Sequence, residues 1–173
     1  MRYMLLICSD DKNAPPAPRA EMEAIIQGHR RFSDELQAAG KMVVGERLRP
    51  DGDASRIRLK AGQRQVMDGP FTETKEALGG FYLVECDTRQ EAVEWAKKIP
   101  LREGSFVEVR PIWHIRLKAG QRQVMDGPFT ETKEALGGFY LVECDTRQEA
   151  VEWAKKIPLR EGSFVEVRPI WHM

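Results

Sequence analysis

The stretch that decides the fold reads Phe81-Tyr82-Leu83-Val84-Glu85-Cys86-Asp87-Thr88-Arg89-Gln90-Glu91-Ala92-Val93-Glu94-Trp95-Ala96-Lys97-Lys98-Ile99-Pro100. An apolar run of strand length, Phe81 to Cys86, gives way to Thr88-Arg89-Gln90-Glu91. That spacing places Thr at the N-cap and Glu at the third position of a helix, where each side chain satisfies a backbone N–H left over by the first turn. The helix buries Ala92, Trp95, Ala96 and Ile99, and Pro100 ends it. Phe106, Val107 and Val109 then supply a strand, with Pro111 marking an edge or a strand end.

Upstream, the same order occurs once more. Tyr3 to Cys8 is a continuous apolar run, the pattern of a strand covered on both faces. A polar loop containing Pro15, Pro16 and Pro18 leads into a helix over Arg19 to Ala39. Its apolar residues Met22, Ile25, Ile26, Phe32 and Leu36 form one amphipathic stripe, and Gly40 stops it. Lys41 to Leu48 reads as a strand. Alternating Ile57 and Leu59, the Ala61-Gly62 turn and Gln65-Val66-Met67 make a hairpin. Asp68-Gly69-Pro70-Phe71 breaks that hairpin, and Thr72 to Leu78 is expected as a short helical turn closed by Gly79-Gly80. Two βαβ-like halves around a hairpin predict an α+β ferredoxin-like sandwich, one sheet with two helices on one face.

Residues 57–114 recur without change as residues 115–172. The copy begins in mid-strand, and no linker separates Trp113-His114 from Ile115-Arg116. Natural solenoid repeats diverge and respect structural units. An identical copy with this junction fits a recent duplication, an engineered joining or an assembly error. Residues 1–114 are therefore expected to form the domain and 115–173 an incomplete extra half. Using the nearer copy keeps the connection from Leu48 to Ile57 at about 8 residues, against roughly 66 for the farther one, a loop-closure difference of roughly 2 kcal/mol. The leftover half is expected to expose Phe139, Leu141, Val142, Val165 and Val167, inviting a domain swap or aggregation.

Charge excludes one class of partner. The chain carries 27 basic and 27 acidic residues, and no segment forms a basic arm, so nucleic-acid binding is not expected. The longest apolar run, Met4 to Cys8, is too short to span a bilayer, and no secretory signal layout is present. Cys8, Cys86 and Cys144 show no metal-ligand spacing and are expected to be reduced, packed thiols. These features predict a cytoplasmic protein without a membrane partner.

Two residues stand out for chemistry. His29 follows Met22 by seven positions and Ile25 by four, so it points from the apolar stripe toward the sheet. An imidazole there has the makings of a general base, or of a core-edge histidine bonded to a backbone carbonyl. Asp68 opens a turn that Gly69 and Pro70 permit, either bonding the backbone two residues on or placing a carboxylate at the mouth of a cleft. Phe71, Glu73 and Lys75 are candidate ligand contacts beside it. His114 and His172 end terminal strands and are expected to be solvated. No nucleophile triad, phosphate loop or metal set is present by spacing, so neither cofactor nor metal is expected.

Asp68-Gly69-Pro70-Phe71 followed by Thr72-Glu73-Thr74-Lys75-Glu76-Ala77-Leu78-Gly79-Gly80-Phe81-Tyr82-Leu83 resembles the signature of the YCII-related family, in its D-G-P-F-motif subgroup. The opening Arg2-Tyr3-Met4-Leu5-Leu6 and the closing Val107-Glu108-Val109-Arg110-Pro111-Ile112-Trp113 are similar to that family's ends. The resemblance implies a ferredoxin-like fold that pairs into a homodimeric α+β barrel, with a cleft in each subunit. It also implies a functional association with a sigma-factor regulator, since some members lie beside such factors in bacterial genomes. One branch of the family contains a dehydrochlorinase with a proposed histidine–aspartate acid/base pair. His29 matches that histidine, whereas the aspartate's place before the helix-ending proline is held here by Ile99, leaving Asp68 as the substitute. Two readings follow. One is a domain that binds a small molecule between sheet and helix. The other is a lyase- or hydrolase-like enzyme acting on a small polar or aromatic compound, with His29 as base and Asp68 as its orienting or acid partner.

Overall fold

The computed structural model describes residues 1–9, 15–71, 77–112 and 136–171. The elements in chain order are β1 (Arg2–Ser9), α1 (Arg19–Ala38), β2 (Met42–Arg47), β3 (Ser55–Lys60), β4 (Gln63–Asp68), β5 (Ala77–Glu85), α2 (Arg89–Ala96), β6 (Ser105–Pro111), α3 (Arg147–Ala154) and β7 (Phe164–Val167). Four strands form an antiparallel sheet in the order β2-β5-β1-β6. Each βαβ unit thus leaves a gap that a strand of the other unit fills, which is the ferredoxin-like arrangement.

Period-two alternation divides the residues of this sheet between its faces. Tyr3, Leu5, Tyr82 and Val84 turn toward Phe32 and Leu36 of α1 and Ala92 and Ala96 of α2, forming the main core. Leu5 and Leu36 are fully buried, a contribution of about 1.5–3 kcal/mol for each such side chain. Met4, Leu6 and Phe81 occupy the opposite face. The capping box at α2 forms as the spacing predicts: Thr88 Oγ1 accepts from the Glu91 N–H at 3.1 Å, and Glu91 Oε2 accepts from the Asp87 N–H at 2.8 Å.

The hairpin leaves this sheet. Strands β3 and β4, joined through Ala61 and Gly62 at positive φ, pair with β7 in a second sheet of order β4-β3-β7. Strand β7 comes from the repeated segment, and α3 packs over it, with Val151 and Ala154 closing on Ile57. Val165 and Val167 are accordingly half-buried against β3, which corrects the expectation that both stand exposed. The physical reason is that the hairpin offers a free ladder edge, and an identical copy of β6 satisfies it. Phe139, Leu141 and Val142 do remain exposed, at 38%, 46% and 55%. The repeated segment continues past β7 along the main domain, where the Arg49 N–H donates to Pro169 O and the Trp171 N–H to Arg47 O, each at 2.9 Å. No helix among the described residues is long and apolar enough to cross a membrane.

The helical turn expected over Thr72 to Leu78 and closed by Gly79-Gly80 is also corrected: Ala77, Leu78, Gly79 and Gly80 all lie inside β5, while residues 72–76 lie outside the described residues. Glycine is required there by proximity, because a Cβ on Gly80 would lie 2.7 Å from the Glu46 carbonyl oxygen of β2. That neighbour is backbone and cannot move aside as a side chain does. Overpacking of this kind typically costs 1–3 kcal/mol, so Gly80→Ala is expected to lose about 1–3 kcal/mol in urea unfolding. Gly138, the same residue in the repeat, has no neighbour within 4 Å of its Cβ position. Gly138→Ala is expected to change stability by less than about 0.5 kcal/mol.

Candidate functional site

His29 lies on the face of α1 turned toward β2 and β5, one helical turn before Ser33. Its Nδ1 sits 3.0 Å from the Tyr82 hydroxyl, and the two rings stack with centroids 6.0 Å apart. Ser33 Oγ is 3.5 Å from the same hydroxyl, the long limit of a hydrogen bond. Phe32 meets the Tyr82 ring edge-on at 4.9 Å, so only the phenol tip is in polar company. Gly45 on β2 makes this possible. A Cβ there would lie 2.5 Å from the tyrosine ring, which leans into the space glycine leaves.

The electrostatics follow from burial. Desolvation first, and then the nearby Arg47 guanidinium, hold the His29 imidazole below its ordinary pKa of 6.5. Burial pushes the Tyr82 phenol above its ordinary value, with the Ser33 contact acting weakly the other way. Both groups are therefore neutral near pH 7. A protonated phenol donating to an unprotonated Nδ1 satisfies both, and puts the remaining ring proton on Nε2. Arg47 itself is exposed, and its Nη2 points at the Met22 thioether at 3.8 Å.

The structure does not bring His29 and Asp68 together. Asp68 ends β4 in the second sheet, where its carboxylate accepts from Ser55 Oγ at 2.8 Å and from the Arg147 guanidinium. It ties the base of the hairpin to the start of α3, instead of bonding the backbone of its own turn. The rest of the D-G-P-F stretch packs inward. The Gly69 N–H donates to Ala54 O at 2.9 Å, and Gly69 lies so close to Asp51 O that no side chain fits. Phe71 is buried beneath the Arg56 guanidinium, 4.1 Å from its ring centroid. Arg56 also covers Phe164 and donates to Glu166 Oε2 at 2.7 Å, so this part of the motif binds the repeated half. Glu73 and Lys75 lie outside the described residues, as do His114, His172 and Asp126, the repeat of Asp68. Among the described residues no group of three or more His, Cys, Asp or Glu is placed to hold a metal ion.

Tyr82, Ser33, Gly45 and Arg47 were not singled out from the sequence. Two signals point to them: Ser33 follows His29 by four positions, and Tyr82 shares the alternation of Val84, so it must face the helices. A surface depression of about 200 Å³ on α1, lined by Gly28, Arg31, Phe32, Glu35, Lys98 and Pro100, does not include His29. There Lys98 is already paired with Glu35 at 3.2 Å. Cys86 is buried, which pushes its thiol pKa up and argues against a reactive role.

Comparison with known proteins agrees with the fold and leaves the chemistry open. The family profile for the YCII-related domain matches residues 1–116 and again 114–173. An uncharacterised protein of Rhizobium meliloti (strain 1021) is 36% identical over 115 residues, covering 65% of this chain and 92% of the relative.

The lowered His29 pKa makes a testable link to stability. The unfolded chain takes up the His29 proton more readily than the folded one, so unfolding free energy falls as pH drops below about 6.5 and levels off below the folded pKa. Urea unfolding of the wild type and His29→Gln at pH 5 to 8 should show a steeper acid-side loss in the wild type. Parallel curves would mean that His29 titrates alike in both states.

Proposed function

The chain belongs to the YCII-related domain family, and on that premise we propose that it binds a small molecule at the His29–Tyr82 pair, between α1 and β5. The observation that carries this reading is the His29–Tyr82 hydrogen bond of 3.0 Å, which joins two half-desolvated neutral groups beside an exposed arginine. Such a pair fixes the orientation of a polar ring at the edge of an apolar core, a common way for a binding site to hold a ligand. An acid/base enzyme needs a proton partner matched to the histidine within hydrogen-bond reach. His29 has a phenol there, and Asp68 is engaged elsewhere. The binding reading is therefore preferred to the lyase or hydrolase reading.

A fragment library screened by thermal shift, with hits followed through the His29 ring signal in NMR, tests the proposal. Hits are expected to move that signal, assigned by its loss in His29→Gln. Tyr82→Phe is expected to weaken them severalfold, and to cost about 1 kcal/mol of stability through the lost hydrogen bond. Hits that stabilise the protein without touching the His29 signal would place the binding groove elsewhere.

A further inference from the structure

The geometry points to a small organic carboxylate as the ligand bound beside His29, received by Arg47 and walled by Trp171 of the repeated half; this rests on the binding reading above. Arg47 is the reason. Its neighbour Arg49 is already matched, with Nε pairing to Asp53 at 3.0 Å. Arg47 has no carboxylate partner among the described residues, its polar contact being the Met22 sulfur, a weak acceptor. A guanidinium in this state has its planar fork free for bidentate recognition of a carboxylate. It stands near enough to His29 to disfavour a second positive charge there. Burial first, and this charge second, keep the imidazole neutral.

The wall is supplied from an unexpected direction. The Trp171 N–H donates to Arg47 O at 2.9 Å, which fixes the end of the repeated half against β2. Its indole then lies under both Arg47 and Arg49, with guanidinium carbons 5.8 and 4.8 Å from the ring centroid. Stacking on the indole restricts where the Arg47 fork rests and adds an apolar surface next to it. Trp171 remains 42% exposed, so part of the ring is open to a ligand. One negative charge with an apolar body suits one free guanidinium, one neutral donor and an aromatic wall. The repeated half, expected from the sequence as an incomplete extra, then completes the site.

Benzoate and its uncharged counterpart benzamide, titrated into the full chain and followed through the His29 ring signal, test this directly. Benzoate is expected to bind and benzamide to bind at least about tenfold more weakly, as loss of a charge-assisted pair implies. Arg47→Gln is expected to remove that difference. Trp171→Ala should weaken benzoate about threefold, on the scale of an exposed cation–π contact, while Trp113→Ala in the other copy leaves it unchanged. Equal binding of the two compounds, or neither binding, overturns the carboxylate assignment. Equal binding still supports a small-molecule site at His29, and that site fails only if the whole fragment library leaves the His29 signal unmoved. Wild-type benzoate affinity in Trp171→Ala, or an equal loss in Trp113→Ala, overturns the role of the repeated half.

Discussion

Strand β1 exists once. Among the described residues it is the strand that pairs with the first copy on both edges, with β5 on one side and β6 on the other. A β-ladder edge accepts one strand at a time, so two identical candidates cannot both complete the sheet. The first copy is held close by a short connection through β2, while the second would need a much longer loop. All four strands of the main sheet accordingly come from residues before 112, and everything the second copy does follows from its exclusion.

That exclusion separates local from non-local structure within one sequence. Helices α2 and α3 span matching residues, and their caps match too, with Thr88 and Thr146 accepting from Glu91 and Glu149 at 3.1 and 3.2 Å. Helical hydrogen bonds close within the segment, so a copy in new surroundings still forms them. Strands need a partner. Residues 77–85 form a nine-residue central strand, whereas the described part of their repeat, from Leu136, forms no ladder. There Phe139 merely leans on Phe81, with ring centroids 5.8 Å apart. The sequence of β6 finds a ladder in both places, but a different one each time: β1 for Phe106 to Pro111, and β3 for Phe164 to Val167.

The same distinction explains what could be read in advance. The ferredoxin-like order, both helices with their stops and the inward aim of His29 were legible, because periodicity and capping are local signals. The separate sheet of the hairpin was not, since nothing within 55–68 says which edge it will meet. Gly79-Gly80 was misread for a related reason: a glycine pair looks alike in a turn and in a strand pressed against its neighbour's backbone. At the site, His29 was found but its partner was not. Asp68 stood in for the aspartate that the family resemblance implies and that Ile99 replaces, while Tyr82 looked like one more apolar residue of a core strand. Only the approach of β2, opened by Gly45, turns its hydroxyl into a partner.

Two copies of one sequence now live under unequal selection. Ala92 is fully buried beneath the main sheet, whereas its twin Ala150 is only partly covered. Val151 closes the small core over Ile57, while its twin Val93 is half-exposed. A change tolerated at one position is therefore resisted at its counterpart, and the pattern of tolerance is not a scaled-down version of itself. Perfect identity across 58 positions is not a state that such unequal constraints maintain. If both halves are inherited together, drift will write two different histories into them, first at positions where one twin is packed and the other is bare.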